Sequence, residues 1–414
     1  MSNVKREIIL AKYGEIALKG LNKRYFEDVL VGNIRAALKP FGEFRIKKAQ
    51  STIFIYAKPG GTDSEFAQPG AKDNAKDNAK NAEQDITPAA EALLKVFGLG
   101  AVQTALETGK DFREIAEHGL PFLSECLSRV RTFKVDARRA DKHYPMTSPE
   151  IMTEFGSLIL EKYPHLTVDV HHPEVTVRVE IRDEFAYVTA DRKAGAGGLP
   201  VGTSGKALLM LSGGFDSPVA GYMMAKRGLA IEAVHFESPP YTSPRARLKV
   251  EKLCAALVPY TGEITLHIVP FTEIQEALRD RCPPEYFTII MRRLMLRIAN
   301  KIAAERRTPA IITGESVGQV ASQTLGALNC TDAVAEFPVF RPVIGMDKIE
   351  ITAVAARIGT FDISAEPYED CCTVFSPRHP KTKPTVREAE TAEAKFDYSG
   401  LLHTAYDNIT MKKM

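Results

Sequence analysis

The stretch "LLMLSGGFDSPVAGYMMAKRG", residues 208–228, runs an apolar segment straight into two glycines and then into a second apolar segment. That is the pattern of a buried strand, a tight turn and the start of a helix. In doubly wound α/β folds this corner is where anions bind: glycines let the backbone approach closely, and the helix N-terminus adds a favourable dipole. The loop lacks the G-K-[ST] ending of a Walker phosphate loop. Asp216 stands where the lysine would be.

Ser212, Gly213, Gly214 and Ser217 offer N–H groups and hydroxyls to an anion. Asp216 cannot bind phosphate directly. It can hold a magnesium ion or orient the loop, which suits attack at an α-phosphate with loss of pyrophosphate. The plainer alternative is a corner capped by Asp216.

Working outward, "AIEAVHF", "TLHIVPF" and "AIITGES" read as further strands. The segments "PRARLKVEKLCAALVPYTG" and "YFTIIMRRLMLRIANKIAAERR" read as helices between them. Apolar strands separated by amphipathic helices predict a doubly wound parallel sheet over residues 193–414. The N-terminal part reads as two small α+β units. The first, residues 1–85, has a strand in "REIILAKYG", a helix marked by Phe26, Leu30, Ile34 and Leu38, and a strand in "STIFIYA". It ends in an apolar-poor insertion at about 60–85, where "AKDN" occurs twice in tandem. The second, residues 86–192, alternates helices with the strand-like "TFKVDARRAD", "TVDVHHP", "TVRVEIRD" and "FAYVTADR".

The 414 residues exceed what one core organises. With 44% hydrophobic and 26% charged residues the composition is that of an ordinary globular protein, and a net charge of +2 means that any nucleic-acid surface must be local. "KVDARRADKHYP" is such a local patch, packing Arg138, Arg139, Lys142 and His143 around Tyr144. Lys12, Lys19, Lys23 and Arg24 form a second one. No secretory signal or apolar run of membrane-spanning length is present, which points to a cytoplasmic protein.

Four of the six cysteines are scattered, and Cys371 and Cys372 are adjacent, a pattern of neither a disulfide scaffold nor a zinc site. No metal-ligating set is expected. In an extended segment the adjacent pair would face opposite sides. Nearby Arg378, His379, Lys381 and Lys383 favour a thiolate there, whereas Glu366, Glu369 and Asp370 oppose it.

The loop at 212–217 resembles the PP-loop of ATP pyrophosphatases. Together, "LMLSGGFDSPVA", "AVHFESPPYTS", "IITGESVGQVASQTL" and "YEDCCTVFSP" resemble the tRNA 4-thiouridine synthetases (ThiI family). "AKYGEIALKGLNKRYFE" and "FKVDARRADKHYPMTSPEI" resemble that family's ferredoxin-like and THUMP segments. The resemblance implies an ATP site made by Met210, Leu211, Ser212, Gly213, Gly214 and Ser217, the backbone of His235 and Phe236, then Arg292, Gly314 and Gln323. It implies ATP and Mg2+, with RNA bound through the THUMP-like part. It matches the family's persulfide-carrying cysteine to Cys372 through "CTVFS". The implied reaction adenylates O4 of the uridine at position eight of tRNA, and a persulfide supplied by a cysteine desulfurase displaces AMP.

Many members carry a rhodanese-like domain after this point, and the chain's end at "LLHTAYDNITMKKM" implies a form without it. Sulfur would then come directly from the desulfurase or through a separate rhodanese or sulfur-carrier protein. A role in thiamine thiazole formation, which the family also has, is weakened by that departure. A homodimer is one assembly the resemblance allows. Two other readings stay open: a different PP-loop tRNA-modifying enzyme, and a THUMP RNA-binding protein with a regulatory nucleotide site.

Overall fold

The computed structural model describes residues 5–18, 20–49, 52–58, 85–140, 142–190, 192–368, 371–375, 377 and 379–414, apart from the side chains of Leu21, Cys372 and Thr373. The tandem "AKDN" insertion, Lys19, Glu369, Asp370 and Arg378 lie outside these residues. Two compact units meet at Gly198 and Leu199.

The N-terminal unit contains β1 (Lys5–Tyr13), β2 (Phe44–Ala49), β3 (Thr52–Ala57), β4 (Leu99–Thr108), β5 (Thr132–Arg139), β6 (Thr167–Val168), β7 (Val175–Ile181), β8 (Ala186–Thr189) and β9 (Lys193–Ala194). They form one sheet in the order β2-β3-β1-β4-β8-β7-β5-β6, with β9 on β4. The two α+β regions read from the sequence therefore share a sheet, because β4 pairs antiparallel with β1 from Lys5–Thr108 to Tyr13–Leu99. The helix Lys23–Leu38 buries Leu30, Ile34 and Leu38 of the stripe read from the sequence, leaves Phe26 half-buried and buries Val31 as well. In β7, Val175, Val177, Val179 and Ile181 alternate inward.

One expected strand is shorter. "TVDVHHP" contributes only Thr167 and Val168, because the Asp169 carboxylate accepts from the N–H groups of His171 and His172, both at 2.9 Å. That turn ends the strand.

The C-terminal unit holds β10 (Lys206–Met210), β11 (Ala230–Glu237), β12 (Thr265–Pro270), β13 (Ile311–Ile312), β14 (Val339–Phe340) and β15 (Thr410–Lys413), in the order β14-β13-β10-β11-β12-β15. Every pairing is parallel except that of β15 with β12. The chain builds outward from β10 through β11 to β12, then crosses to the other side of β10 for β13. A crevice opens at such a reversal, beyond the carboxyl ends of the strands. The long helix Phe287–Arg306 packs in the core of this unit. Its Arg293 is 1% exposed and donates to the Glu393 carboxylate and the Cys330 carbonyl, both at 2.6 Å. A buried cation of this kind is tolerated only when so paired.

Candidate active site

The loop after β10 folds around its own hydroxyls. Ser212 N–H donates to Ser217 Oγ at 2.9 Å, the two hydroxyl oxygens lie 3.0 Å apart, and Gly214 N–H donates to Ser212 Oγ at 3.3 Å. Ser364 Oγ donates to the Gly214 carbonyl at 3.2 Å from outside. Helix Asp216–Ala225 starts directly from this loop. His235 is 5% exposed, and its Nδ1 lies 3.0 Å from the Leu211 carbonyl, so the ring ties the ends of β10 and β11 together.

A side chain at Gly314 would not fit. Its Cβ would lie 2.5 Å from Ser217 N and 2.6 Å from the Asp216 carbonyl carbon. The end of β13 thus lies against the first turn of the helix, closing the crevice from that side.

These elements enclose a cavity of about 170 Å³. Met210, Leu211, Ser212, Asp216 and Ser217 line it from the loop, and His235 and Phe236 from the next strand. Arg292, Gly314 and Gln323 complete the set named from the sequence. Gly213 and Gly214 lie in the same loop but not on the lining. Gln323 is 7% exposed, and its Oε1 has no partner among the described residues. A buried orphan acceptor costs roughly 1–3 kcal/mol unless a ligand donor meets it.

Thr313, Glu315 and Arg341 also line the cavity and were not read from the sequence. Glu315 is 4% exposed; it accepts from Arg292 and Arg341, each at 2.7 Å, and from Thr313 Oγ1 at 2.9 Å. Burial pushes its carboxyl upward, but the two guanidiniums outweigh that and hold it below the ordinary range. Arg341 further pairs with Asp332, and Arg292 reaches the Ser322 carbonyl at 3.3 Å.

A fourth residue missed by sequence reading is Lys348. Its Nζ lies 3.4 Å from Asp216 Oδ1 and 4.8 Å from the centre of the Phe215 ring. The capping box of Asp347 and Glu350 places Lys348 in the first turn of helix Lys348–Ile358. That D-x-x-E spacing was the available signal.

Cys371 is 3% exposed and lines the cavity. Cys371–Val374 is one helical turn, so the extended pairing considered from the sequence is corrected. Adjacent residues on a helix are about 100° apart rather than on opposite faces. Cys372 lies in this turn, and its side chain is outside the described residues. Burial pushes the thiols of Cys254 and Cys282 up to about 12 and raises that of Cys330, so none of the three is a ready thiolate.

In the N-terminal unit, Lys12, Arg138 and Arg139 line a more open groove of about 580 Å³, together with Glu180 and Arg182. Arg138 and Lys142 are exposed. Arg139 is committed to its own chain, donating to the Met146 carbonyl at 2.9 Å and the Tyr144 carbonyl at 3.4 Å. Among the described residues there is no cluster of three or more potential metal ligands, and no helix is long and apolar enough to cross a membrane.

Comparison with known proteins gives this geometry its family. Residues 202–398 match the family described as "Thiamine biosynthesis protein (ThiI)", residues 109–191 the THUMP domain, and residues 8–68 the ThiI ferredoxin-like domain. A protein of Acetivibrio thermocellus named "Probable tRNA sulfurtransferase" is 45% identical over 405 residues, 97% of each chain. The crystal structure of a 4-thiouridine synthetase–RNA complex with bound ATP is 36% identical, with a TM-score of 0.85 over 99% of this chain and 100% of that one. PH1313 from Pyrococcus horikoshii, 22% identical with a TM-score of 0.61 over 85% of this chain and 99% of its own, shares the fold. With identity at that level running from end to end, the chain belongs to the ThiI family.

Proposed function

We propose that the protein is an ATP-dependent tRNA sulfurtransferase that makes 4-thiouridine at position eight of tRNA. One observation carries the reading: the Met210–Ser217 loop and the cysteine turn at Cys371 border the same cavity at the sheet's reversal point. An anion-binding loop beside a thiol suits activation by ATP followed by sulfur attack.

The chemistry assigned to this site has three steps. Uridine O4 attacks the α-phosphorus of ATP, pyrophosphate leaves with its electron pair, and N3 gives up its proton. The outer sulfur of a persulfide on Cys372 then attacks C4, and AMP departs with the former O4. Finally a thiolate, from Cys371 or an external dithiol, attacks the Cys372 sulfur; a disulfide forms, 4-thiouridine is released, and N3 is reprotonated. Adenylation converts a poor leaving oxygen into a good one, which is why thiolation is coupled to ATP.

The chain's residues divide the work. Loop N–H groups and Ser212 and Ser217 receive the phosphates, while Lys348 brings a cation to the loop mouth. Gln323, with its unmatched acceptor, faces the nucleoside. Arg292 is oriented by Glu315. Asp216 is a single carboxylate at the mouth, which fits Mg2+ arriving with the nucleotide and held mainly by phosphates, rather than an all-protein cage. Such an ion would screen charge on the phosphates.

We assign residues 1–85 to a ferredoxin-like domain, 86–192 to the THUMP domain and the rest to the PP-loop domain. The start of the last moves from 193 to Leu199, because β9 (Lys193–Ala194) pairs with β4 of the N-terminal sheet. The three family matches support the division. Arg138 and Lys142, both exposed, would track tRNA phosphates. The immediate sulfur source would be a cysteine desulfurase or a separate rhodanese, in the cytoplasm.

Incubating the protein with ATP, tRNA, a cysteine desulfurase and cysteine tests the assignment. The expected result is a tRNA absorbing in the near ultraviolet, with one AMP and one pyrophosphate per thiolated base. ADP and phosphate as products, or no thiolation even after a separate rhodanese is added, would contradict it.

A further inference from the structure

The cysteine turn is held by side chains from helices remote in sequence. Gln275, on helix Thr272–Arg281, is completely buried. Its Nε2 donates to the Cys371 carbonyl at 2.7 Å and lies 3.3 Å from Met291 Sδ. Its Oε1 has no hydrogen-bond partner among the described residues. One helical turn further along, Arg279 lies over the Phe375 ring at 5.3 Å, and Tyr241 and Phe287 pack on that ring as well. Upstream, Lys249 is 5% exposed and donates from Nζ to the Glu366 carbonyl at 2.8 Å.

The upstream shoulder is therefore held through a main-chain carbonyl and the downstream one through the Phe375 ring, and Gln275 acts at the cysteine itself. A buried amide with half its capacity unmatched is a poor choice for stability, since the orphan oxygen costs desolvation energy. An apolar residue of similar size would fill the same space. What such a residue could not do is hold the Cys371 carbonyl.

We propose that Gln275 is the positioning residue of the cysteine turn, fixing the main chain at Cys371 so that the sulfur-bearing thiol meets the activated base. The proposal rests on the sulfurtransferase reading. Gln275 does not line the cavity, so its loss should spare adenylation and slow sulfur delivery.

The test uses the full chain with Gln275→Met, which keeps the volume and removes the donor, and Gln275→Glu, whose carboxyl donates only when protonated. Pyrophosphate release from ATP and tRNA without a sulfur source should stay within about twofold of wild type. Single-turnover transfer from persulfide-loaded protein should fall about 100-fold in Gln275→Met, the effect of a misplacement near 1 Å. In Gln275→Glu the deficit relative to wild type should shrink as the pH is lowered, because a buried carboxyl takes up a proton readily.

A second readout does not depend on turnover. Iodoacetamide labelling of the peptide bearing Cys371 and Cys372 should be about fivefold faster in Gln275→Met, the weight of one net hydrogen bond. Wild-type transfer and labelling rates in Gln275→Met would overturn the proposal, as would equal losses of adenylation and transfer. A wild-type protein that forms neither pyrophosphate nor thiouridine would refute the functional reading instead, and unchanged labelling would then refute the positioning role as well.

Discussion

Lys348 Nζ lies 3.4 Å from Asp216 Oδ1, across 132 residues of sequence. A Walker loop carries its phosphate-binding lysine within itself. Here the loop carries an aspartate, and the cation comes from the first turn of a later helix. The pair is half open to solvent on the lysine side, so its worth to stability is small. Its worth to a departing pyrophosphate is a different matter.

Lys348→Ala should therefore slow AMP formation by about 100-fold, the usual loss when one preorganised charge stabiliser is removed. The thermal midpoint should move by no more than about 2–4 °C. Rate and melting measurements on the same preparation check both halves.

Gly314→Ala should damage the loop through the backbone. The added methyl would stand 2.5 Å from Ser217 N, and main chain cannot swing aside as a long side chain can. Overpacking of this kind costs about 1–3 kcal/mol. Urea unfolding should show the loss, and ATP affinity should fall with it.

Glu315 makes the C-terminal unit sensitive to acid. Burial raises its pKa, yet Arg292 and Arg341 lower it more, so the folded value lies below the ordinary 4.5. A depressed carboxyl contributes stability that is fully present above the unfolded pKa and is lost as pH falls through the folded one. Glu315→Gln leaves Arg292 without its anion, while Arg341 keeps Asp332, and should cost about 3–5 kcal/mol near neutral pH. The gap between variant and wild type should narrow below pH 4.5. Unfolding curves at a series of pH values measure it.

The basic patch of the N-terminal unit should separate into two roles. Arg138→Ala and Lys142→Ala remove exposed charges, and each should lower the salt slope of tRNA binding by about 0.7–0.9. Arg139→Ala removes contacts to the Tyr144 and Met146 carbonyls, and should lower thermal stability first. Filter binding across a salt series, with melting curves alongside, distinguishes them.

The loop was legible in the sequence because its chemistry is local. A strand, two glycines and two serines within a few residues leave few other structures, and the residues named around it from His235 to Gln323 do line one cavity. Arg341 and Lys348 were not legible. Arg341 reaches the cavity because it follows β14, which pairs with β13. Lys348 reaches Asp216 from the first turn of a later helix; the D-x-x-E box marks where that helix starts but not what it lies against. The cysteine turn failed for a related reason. One turn of helix is too short to show a period, and its shape is held by Gln275, ninety-six residues away in the chain. The shared N-terminal sheet was hidden because the pairing of β1 with β4 joins segments on either side of the long insertion.

The most direct test compares 4-thiouridine formation by wild type, Cys371→Ala and Cys372→Ala, with ATP, tRNA, a cysteine desulfurase, cysteine and an external dithiol supplied. The account predicts product from wild type and from Cys371→Ala, and none from Cys372→Ala although it still releases pyrophosphate. Undiminished thiolation by Cys372→Ala would contradict the assignment of the sulfur carrier, and with it the reaction proposed for this site.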